Sequence, residues 1–166
     1  MDGEDVEISK YFKNKKNGFY VDVGAYHPIE RNNTMLLYEQ GWEGINIDIS
    51  NFSIQLFNHL RPRDINLNLA ISGNEGDIEM YFQKKLSQLS TIKKDQAKRS
   101  FQGEVKTQKI FSKTLTSVLD SSKFKERKID FLDIDVEGAD IDVLESLDFE
   151  RYSPELVCVE VIEENN

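Results

Sequence analysis

The sequence contains a single cysteine, Cys158, so an internal disulfide and a metal centre built from several thiolates are both excluded. This residue lies in the apolar run LVCV, whose composition predicts a buried strand. We therefore interpret Cys158 as a small hydrophobic side chain of the core rather than as a reactive thiol.

Long apolar runs are also missing, since no stretch approaches the roughly 20 residues that a membrane-spanning helix needs. The N-terminal sequence MDGED is acidic, which is not typical of a targeting signal. We expect a cytoplasmic protein without a membrane span.

Positive charge is scarce, with 21 Lys and Arg against 30 Asp and Glu and a net charge of −9 at pH 7. Because affinity for nucleic acids comes mainly from neutralising phosphates, this balance argues against a nucleic-acid partner.

Short apolar segments, predicted as strands, alternate along the chain with amphipathic segments, predicted as helices. Right-handed crossovers between parallel strands produce this alternation, so we expect an α/β fold with a doubly wound sheet. Neither a repeat nor a linker interrupts the pattern, and we expect residues 1–166 to form a single domain.

Carboxylates stand where three predicted strands end. The run FYVDVGAYHP carries Asp22 and Gly24, the run IDFLDIDVEG carries Asp135, and Asp48 closes a third apolar segment. Open α/β sheets bind their ligands at the carboxyl ends of the strands, so these residues predict a binding site.

The Gly-x-Gly-x-x-Gly loop that cradles a pyrophosphate is lacking, because only Gly24 follows the first strand. A nicotinamide-dependent oxidoreductase therefore fits less well, although it stays an alternative. A phosphate-free nucleoside cofactor that carries an amino acid, S-adenosylmethionine, fits better. Gly24 would allow close approach, Asp48 would accept the ribose hydroxyls, and Asp22 would meet an amino group.

Six segments in order, VDVGAYHP, NNT, GWEGINID, NLAIS, IDFLDIDVEGAD and PELVCVE, resemble the FkbM family of S-adenosylmethionine-dependent methyltransferases. The resemblance spans about residues 19–160 and implies a Rossmann-like class I methyltransferase sheet. It also implies O-methylation of a small-molecule or glycan acceptor, often a sugar. The family fold has two more strands than we find here, so we expect a sheet that lacks the last two strands. A non-catalytic, methyltransferase-like binding module therefore stays open.

The resemblance assigns cofactor-binding roles by position. The methionine portion would lie against Asp22, Gly24 and Ala25, and its carboxylate would face the start of a helix. The ribose and the adenine would lie between two further strand ends. The residues assigned to the carboxylate are Asn33 and Thr34. Those assigned to the ribose and the adenine edge are Asp48 and Ile49, and Asn68 and Ala70 would flank the base.

Methyl transfer to a hydroxyl needs an oriented acceptor and a base for its proton. We assign this role first to Asp135, with Glu137 beside it, although Glu137 could instead cap the following helix. His27 is an alternative base because its ordinary pKa suits proton transfer near neutral pH. Mg²⁺ could bind such carboxylates, but we predict no metal.

Residues 84–113 are rich in lysine within an acidic chain. This asymmetry favours an anionic acceptor, such as a phosphorylated or nucleotide-linked sugar, although a solvated loop would also explain it. Residues 86–91 are predicted to cover the acceptor as a lid.

Overall fold

The structure is a computed structural model that describes residues 3–160 of the chain, and seven helices and eight strands lie within them. The helices are α1 (Glu4–Tyr11), α2 (Met35–Glu39), α3 (Asn51–Leu60), α4 (Lys94–Ser100), α5 (Leu115–Asp120), α6 (Asp140–Glu145) and α7 (Phe149–Tyr152). The strands are β1 (Phe19–Val23), β2 (Glu43–Asp48), β3 (Ile65–Asn68), β4 (Ala70–Ile71), β5 (Gly76–Phe82), β6 (Lys106–Lys113), β7 (Phe131–Ile134) and β8 (Leu156–Val159).

The main sheet has the order β3-β2-β1-β7-β8, and every neighbouring pair is parallel. The central strand β1 is buried over its whole length, which matches its almost continuous apolar sequence. The predicted parallel α/β sheet is therefore confirmed.

Helices cover both faces of this sheet, because successive residues of a strand point to opposite sides. Phe19, Val21 and Val23 pack in one cluster with apolar residues of α5 and α6. Tyr20 packs in another cluster with Trp42 and with residues of α1 and α2. This arrangement is the doubly wound, Rossmann-like architecture that the alternation of elements predicted.

A second sheet, with the order β4-β6-β5, was not predicted as a separate layer. Its strands β5 and β6 form an antiparallel pair in which Ile78 lies opposite Ile110. Ile110 and Met80 pack against Ile49, which directly follows β2, so the small sheet is attached at the end of a main-sheet strand. It brings the segment between β5 and α4 towards the carboxyl ends of the main strands.

A membrane-spanning helix would have to be long and apolar, and none of the helices within residues 3–160 meets both conditions.

Candidate active site

The carboxyl ends of β1, β2 and β7 lie side by side. Asp22 is the register partner of Asn46 on β2 and of Asp133 on β7, so the residues that follow these strands emerge together. The amide of Gly24 donates to the carbonyl of Ile47 at 2.9 Å, and the amide of Asp135 donates to the carbonyl of Val23 at 2.9 Å. The structure thus brings the three predicted strand ends to one edge.

Gly24 makes this close approach possible. Its φ is 87°, and a Cβ atom placed on it would lie 1.8 Å from the carbonyl oxygen of Asp135. A side chain at position 24 would therefore collide with the backbone of Asp135, which directly follows β7, and would also occupy space at the strand ends. The glycine is required by the packing of the chain itself.

An apolar cleft lies above the ends of β1 and β2. It is bounded by Gly24, Asp48 and Asp135 and by mostly apolar side chains, among them Ile47, Ile49, Ala70, Ile71, Ile92 and Val136. Two of the predicted base-binding residues, Ile49 and Ala70, thus line the cleft.

Asn68 is placed differently, since it is exposed and lines a neighbouring groove. Its Nδ2 atom donates to the carbonyl oxygens of Asp48 and Ile49, at 2.9 and 3.0 Å. The side chain of Asn68 therefore holds the end of β2 in place and is not among the residues that line the cleft.

Asp48 is held by two backbone amides. Its Oδ2 atom accepts from the amide of Tyr26 at 2.8 Å, and its Oδ1 atom accepts from the amide of Ser50 at 2.6 Å. Burial raises the pKa of Asp48 to about 6, although these two hydrogen bonds oppose the shift. Each carboxylate oxygen can accept a further hydrogen bond, so the pair of oxygens stays suited to a diol.

A second space, the acidic cavity, adjoins the cleft and has a volume of about 360 Å³. Gly24, Tyr26, Gln88 and Asp135 line both, so the cleft and the cavity lie side by side. The described lining of the acidic cavity includes six acidic residues, Glu4, Asp22, Asp133, Asp135, Glu137 and Glu160.

Three of these carboxylates form a tight group. Oxygens of Asp135, Glu137 and Glu160 all lie within 4.8 Å of one another. Burial and then repulsion from Glu160 raise the pKa of Asp135 and that of Glu137 to about 7 each. Such a group can accept a proton near neutral pH. Its oxygens would also suit a divalent cation, and the prediction that no metal is used stays a prediction.

The alternative role for Glu137, capping the next helix, is wrong, because the N-cap residue of α6 is Ala139 and, within residues 3–160, no side chain caps this helix. The carboxylate of Asp140 accepts from the amides of Val136 and Gly138, each at 3.1 Å. Glu137 itself has a φ of 52°, and its carbonyl accepts from the Thr91 hydroxyl at 2.8 Å. The backbone of Glu137 is thus fixed while its side chain lines the acidic cavity.

Asp22 lines the acidic cavity and also belongs to a buried hydrogen-bond network. Its Oδ2 atom accepts from the Asn32 amide at 2.9 Å and from the Thr34 hydroxyl at 2.8 Å. Arg61 is 1% exposed and donates to the Thr34 hydroxyl at 2.8 Å and to Oδ1 of Asn32 at 2.7 Å. Burial raises the pKa of Asp22, and Thr34, Arg61 and Asn32 oppose that rise. Thr34, which is fully buried, therefore positions Asp22 from inside the protein.

Asn33 and Ala25, also predicted to bind the cofactor, both line the acidic cavity. Asn33 donates through Nδ2 to Oδ1 of Asp133 at 3.2 Å. Its own Oδ1 atom is buried and has no hydrogen-bond partner in the part of the chain that the structure describes. Asp133 is 7% exposed, and burial followed by repulsion from Asp22 raises its pKa well above the ordinary value.

His27 is separated from this group. Its Nδ1 atom accepts from the amides of Ile29 and Glu30, at 3.2 and 2.9 Å, and so shapes the loop after β1. His27 is not among the residues that line the cleft or the cavity. The structure thus assigns His27 a place in the loop, and proton transfer by it stays an untested prediction.

Further residues belong to the site, and of these Arg31 was not predicted from the sequence. Tyr26 and Gln88 line both spaces, and Arg31 donates from Nη1 to Oε1 of Gln88 at 2.7 Å. Ser87 and Ser90 line the cleft with Gln88, so the segment predicted as a lid does lie at the strand ends. Only the clustering of polar residues in 86–91 indicated this segment in the sequence. Nothing in the sequence indicated the buried position of Arg61.

Comparison with known families gives one match, in which residues 22–166 correspond to the Methyltransferase FkbM domain. No curated protein and no solved structure matches the chain. The match covers the strand ends, the cleft and the acidic cavity, and it supports methyl transfer in general as the activity. With a parallel sheet flanked by helices and a domain match over most of its length, the chain belongs to the FkbM methyltransferase family.

Proposed function

We propose that the protein transfers a methyl group from S-adenosylmethionine to a hydroxyl of a carbohydrate-like small molecule. The observation that carries this proposal is that Gly24, Asp48 and Asp135, from the ends of three adjacent strands, line one continuous cleft. Membership of a methyltransferase family supports it.

The residues of the cleft suit a nucleoside without phosphates. Ile49, Ala70 and Ile71 offer apolar contacts for a base, and the Asp48 carboxylate can accept from the two ribose hydroxyls. No glycine-rich cradle follows β1, so there is little to hold a pyrophosphate. When bound, the cofactor supplies an electrophilic methyl group.

The amino-acid end of the cofactor would lie in the acidic cavity. Gly24, Ala25 and Asn33 line that region, and the buried network of Asp22, Thr34 and Arg61 holds the loop that carries them. Because the cavity is acidic, it favours positively charged groups such as an amine or a sulfonium.

Asp135 lines both spaces and is therefore the best-placed base. The Asp135 carboxylate would accept the proton of the acceptor hydroxyl. The bound cofactor would supply the methyl group that the acceptor oxygen takes up. Glu137 lies beside Asp135 and helps to orient the acceptor. The walls of the cleft would hold the two reactants in line, which is the main contribution an enzyme makes to such a transfer.

Isothermal titration with S-adenosylhomocysteine tests the cofactor assignment. We expect binding by the wild type and a loss of about 1–3 kcal/mol for Asp48→Ala, because a charged hydrogen bond is removed. Asp77→Ala is the matched control, since Asp77 is an exposed aspartate on β5. NADH serves as a competing ligand in a thermal-shift assay.

Two results would contradict the proposal: a folded wild type that fails to bind S-adenosylhomocysteine, or one whose melting temperature rises with NADH instead.

A third measurement concerns catalysis itself. Transfer of labelled methyl groups to a panel of oligosaccharides separates an enzyme from a binding module, because a binding module would bind the cofactor and label nothing.

A further inference from the structure

The groove that Asn68 lines, which we call the basic groove, concentrates positive charge in an acidic chain. It has a volume of about 480 Å³, and its described lining includes Lys84, Lys85 and Lys109 but no aspartate or glutamate. All three lysines are exposed, and within residues 3–160 none of them forms an ion pair. In a chain with a net charge of −9, such a surface attracts anionic groups.

The lysines of residues 84–113 do not face the two spaces proposed for the cofactor and the acceptor. Among the described residues that line the cleft and the acidic cavity there is no lysine. An anionic acceptor therefore stays a prediction, and the basic groove is a separate surface with its own charge.

One wall of the basic groove is the edge of β6. Residues 108–111 all line the groove, and because consecutive side chains of a strand point to opposite sides, the groove runs along the backbone. On this side β4 pairs only with Ser112 and Lys113, so residues 106–111 have no neighbouring strand there within the described part of the chain. An open edge of this kind offers unpaired N–H and C=O groups to another strand.

The direction of the peptide groups identifies the free donors and acceptors. The amide of Ser72 donates to the carbonyl of Lys113 at 3.0 Å, so the backbone of Lys113 faces the side of β4. Backbone groups along a strand face its two sides alternately, and those of Phe111 and Lys109 therefore face the same, open side. Each of these two residues offers one donor and one acceptor.

The two faces of β6 differ in character. Ile110 packs with Met80 in an apolar cluster, whereas Lys109 and Phe111 project from the opposite face and are exposed, Phe111 by 47%. Phe52, near the start of α3, is 43% exposed and also lines the groove. A strand added beside β6 would thus place alternate side chains next to an apolar surface and next to positive charge.

Lys84 and Lys85 carry most of this charge. Glu79 is the register partner of Lys109 on β5 and partly offsets its charge, although Glu79 itself borders another space. The backbone of Lys85 is held at the groove, because its carbonyl accepts from the Ser50 hydroxyl at the start of α3. The lysine pair is therefore the part of the groove to change in a test.

We propose that the basic groove binds an extended segment of a partner protein in which acidic and apolar residues alternate. The segment adds as a strand to the open edge of β6, and its main chain bonds to Lys109 and Phe111. Its acidic side chains lie near the lysines, and its apolar side chains lie beside Ile110. A nucleic acid or an anionic glycan would satisfy the lysines, but it has no peptide groups at the spacing of a strand, about 3.4 Å per residue. This inference goes beyond the proposed function and does not depend on it.

The experiment uses the full chain and a labelled library of short peptides in which Asp or Glu alternates with Val, Leu or Phe. Control peptides contain the same residues with the acidic ones grouped at one end, so their charge is unchanged. Fluorescence anisotropy measures binding. We expect the best alternating peptide to bind at least about tenfold more tightly than its grouped counterpart, and its affinity to fall as salt is added.

N-methylation of the peptide backbone tests strand addition without changing charge. Methyl groups on alternate residues remove every other main-chain donor, and only one of the two alternate sets faces β6. We expect one N-methylated version of the best peptide to lose at least about tenfold in affinity, because hydrogen bonds to the edge are lost. The other version should retain most of its affinity.

Variants then locate the binding surface. Lys84→Glu combined with Lys85→Glu should weaken binding of the best peptide at least about tenfold, because attraction becomes repulsion. Lys13→Glu combined with Lys16→Glu is the matched control, since both lysines are exposed and neither is among the lining residues of the groove. Circular dichroism confirms that each variant is folded.

Several outcomes would overturn the inference. It is wrong if no alternating peptide binds, if grouped peptides bind equally well, or if both N-methylated versions bind like the parent. A thymidine oligonucleotide or a heparin fragment that binds as tightly as the best peptide and displaces it would show a general anion site instead. Binding of S-adenosylhomocysteine tests the proposed function separately, so failure of one proposal leaves the other standing.

Discussion

Asp22 and Asp133 lie side by side as register partners on the neighbouring strands β1 and β7, and both are buried. Asp22 accepts hydrogen bonds from Thr34 and Asn32, whereas Asp133, among the described residues, accepts only a longer one from Asn33 and a weak one from Cys158. Burial and the nearby charge of Asp22 raise the pKa of Asp133, so of the two carboxyl groups Asp133 keeps its proton more readily.

The free energy of unfolding should therefore depend on whether the Asp133 carboxyl group is protonated, and hence on pH. A carboxyl group whose pKa is raised in the folded chain adds stability below its ordinary value of 3.8, and this stability is lost as pH rises through the raised pKa. Asp133→Asn resembles the protonated form and removes the loss. We expect its unfolding free energy, measured in urea, to fall less than that of the wild type as pH rises from the ordinary value of 3.8 through the raised pKa. Asp77→Asn is the control, and parallel curves for wild type and Asp133→Asn would contradict the assignment.

Methyl transfer should follow the ionisation of Asp135. Because burial and the neighbouring carboxylates raise its pKa to about 7, kcat/KM should rise as pH increases through that value. Asp135→Asn should lower kcat by about 10²- to 10⁴-fold, the usual contribution of a general base. A rate measured with labelled cofactor that stays flat with pH, or that survives in Asp135→Asn, would rule out this base.

The close approach of β1 to β7 can be tested at Gly24. Gly24→Ala places a side chain at φ 87° and 1.8 Å from the Asp135 carbonyl, whereas Gly41→Ala has a similar φ of 92° and open space around it. Gly41→Ala should cost only the backbone strain, about 1–3 kcal/mol. Gly24→Ala should cost clearly more and should also weaken binding of S-adenosylhomocysteine. Equal melting temperatures for the two variants would show that the collision is relieved.

Arg61 should contribute to stability far more than its neighbour Arg63. Arg61 is 1% exposed and donates to Thr34, Asn32 and the carbonyl of Pro28. Arg63 is exposed, and within residues 3–160 it donates only to the carbonyl of Tyr38. Arg61→Met should lower the unfolding free energy by about 3 kcal/mol, because buried partners lose a charged donor.

Arg63→Met is the matched control and should change the unfolding free energy by well under about 1 kcal/mol. Urea unfolding of both variants at one pH gives the comparison. Similar losses in the two would show that the buried network adds nothing beyond the packing of an arginine side chain on Tyr38, which both residues contact.

The main sheet was predictable because its strands are short apolar runs with clear ends. The sequence FYVDV forms β1 over the predicted residues, and each carboxylate that closes a run lies at the predicted edge. Helix α4 was not predicted, because just one of its residues, Ala97, is buried and the apolar period is therefore weak.

The parts that could not be predicted depend on contacts between distant residues. The small sheet pairs β4 with β6, so that Ala70 lies opposite Ser112, a pairing that no local pattern encodes. The burial of Arg61 could not be predicted either, since an arginine at the end of a helix is normally solvated. Its burial follows from the loop of residues 24–34, which folds over it and offers it three acceptors. A sequence pattern thus locates the carboxylates but not the residues that hold them.

Gln88 forms part of the wall of both the cleft and the acidic cavity, and its side chain is tied to Arg31 on the opposite loop. Any molecule that displaces this amide from one side reshapes the compartment on the other. Where two occupants displace Gln88 differently, thermodynamic reciprocity requires each of them to change the affinity of the other by the same factor. The position of one glutamine thus makes the shape of each compartment depend on that of the other.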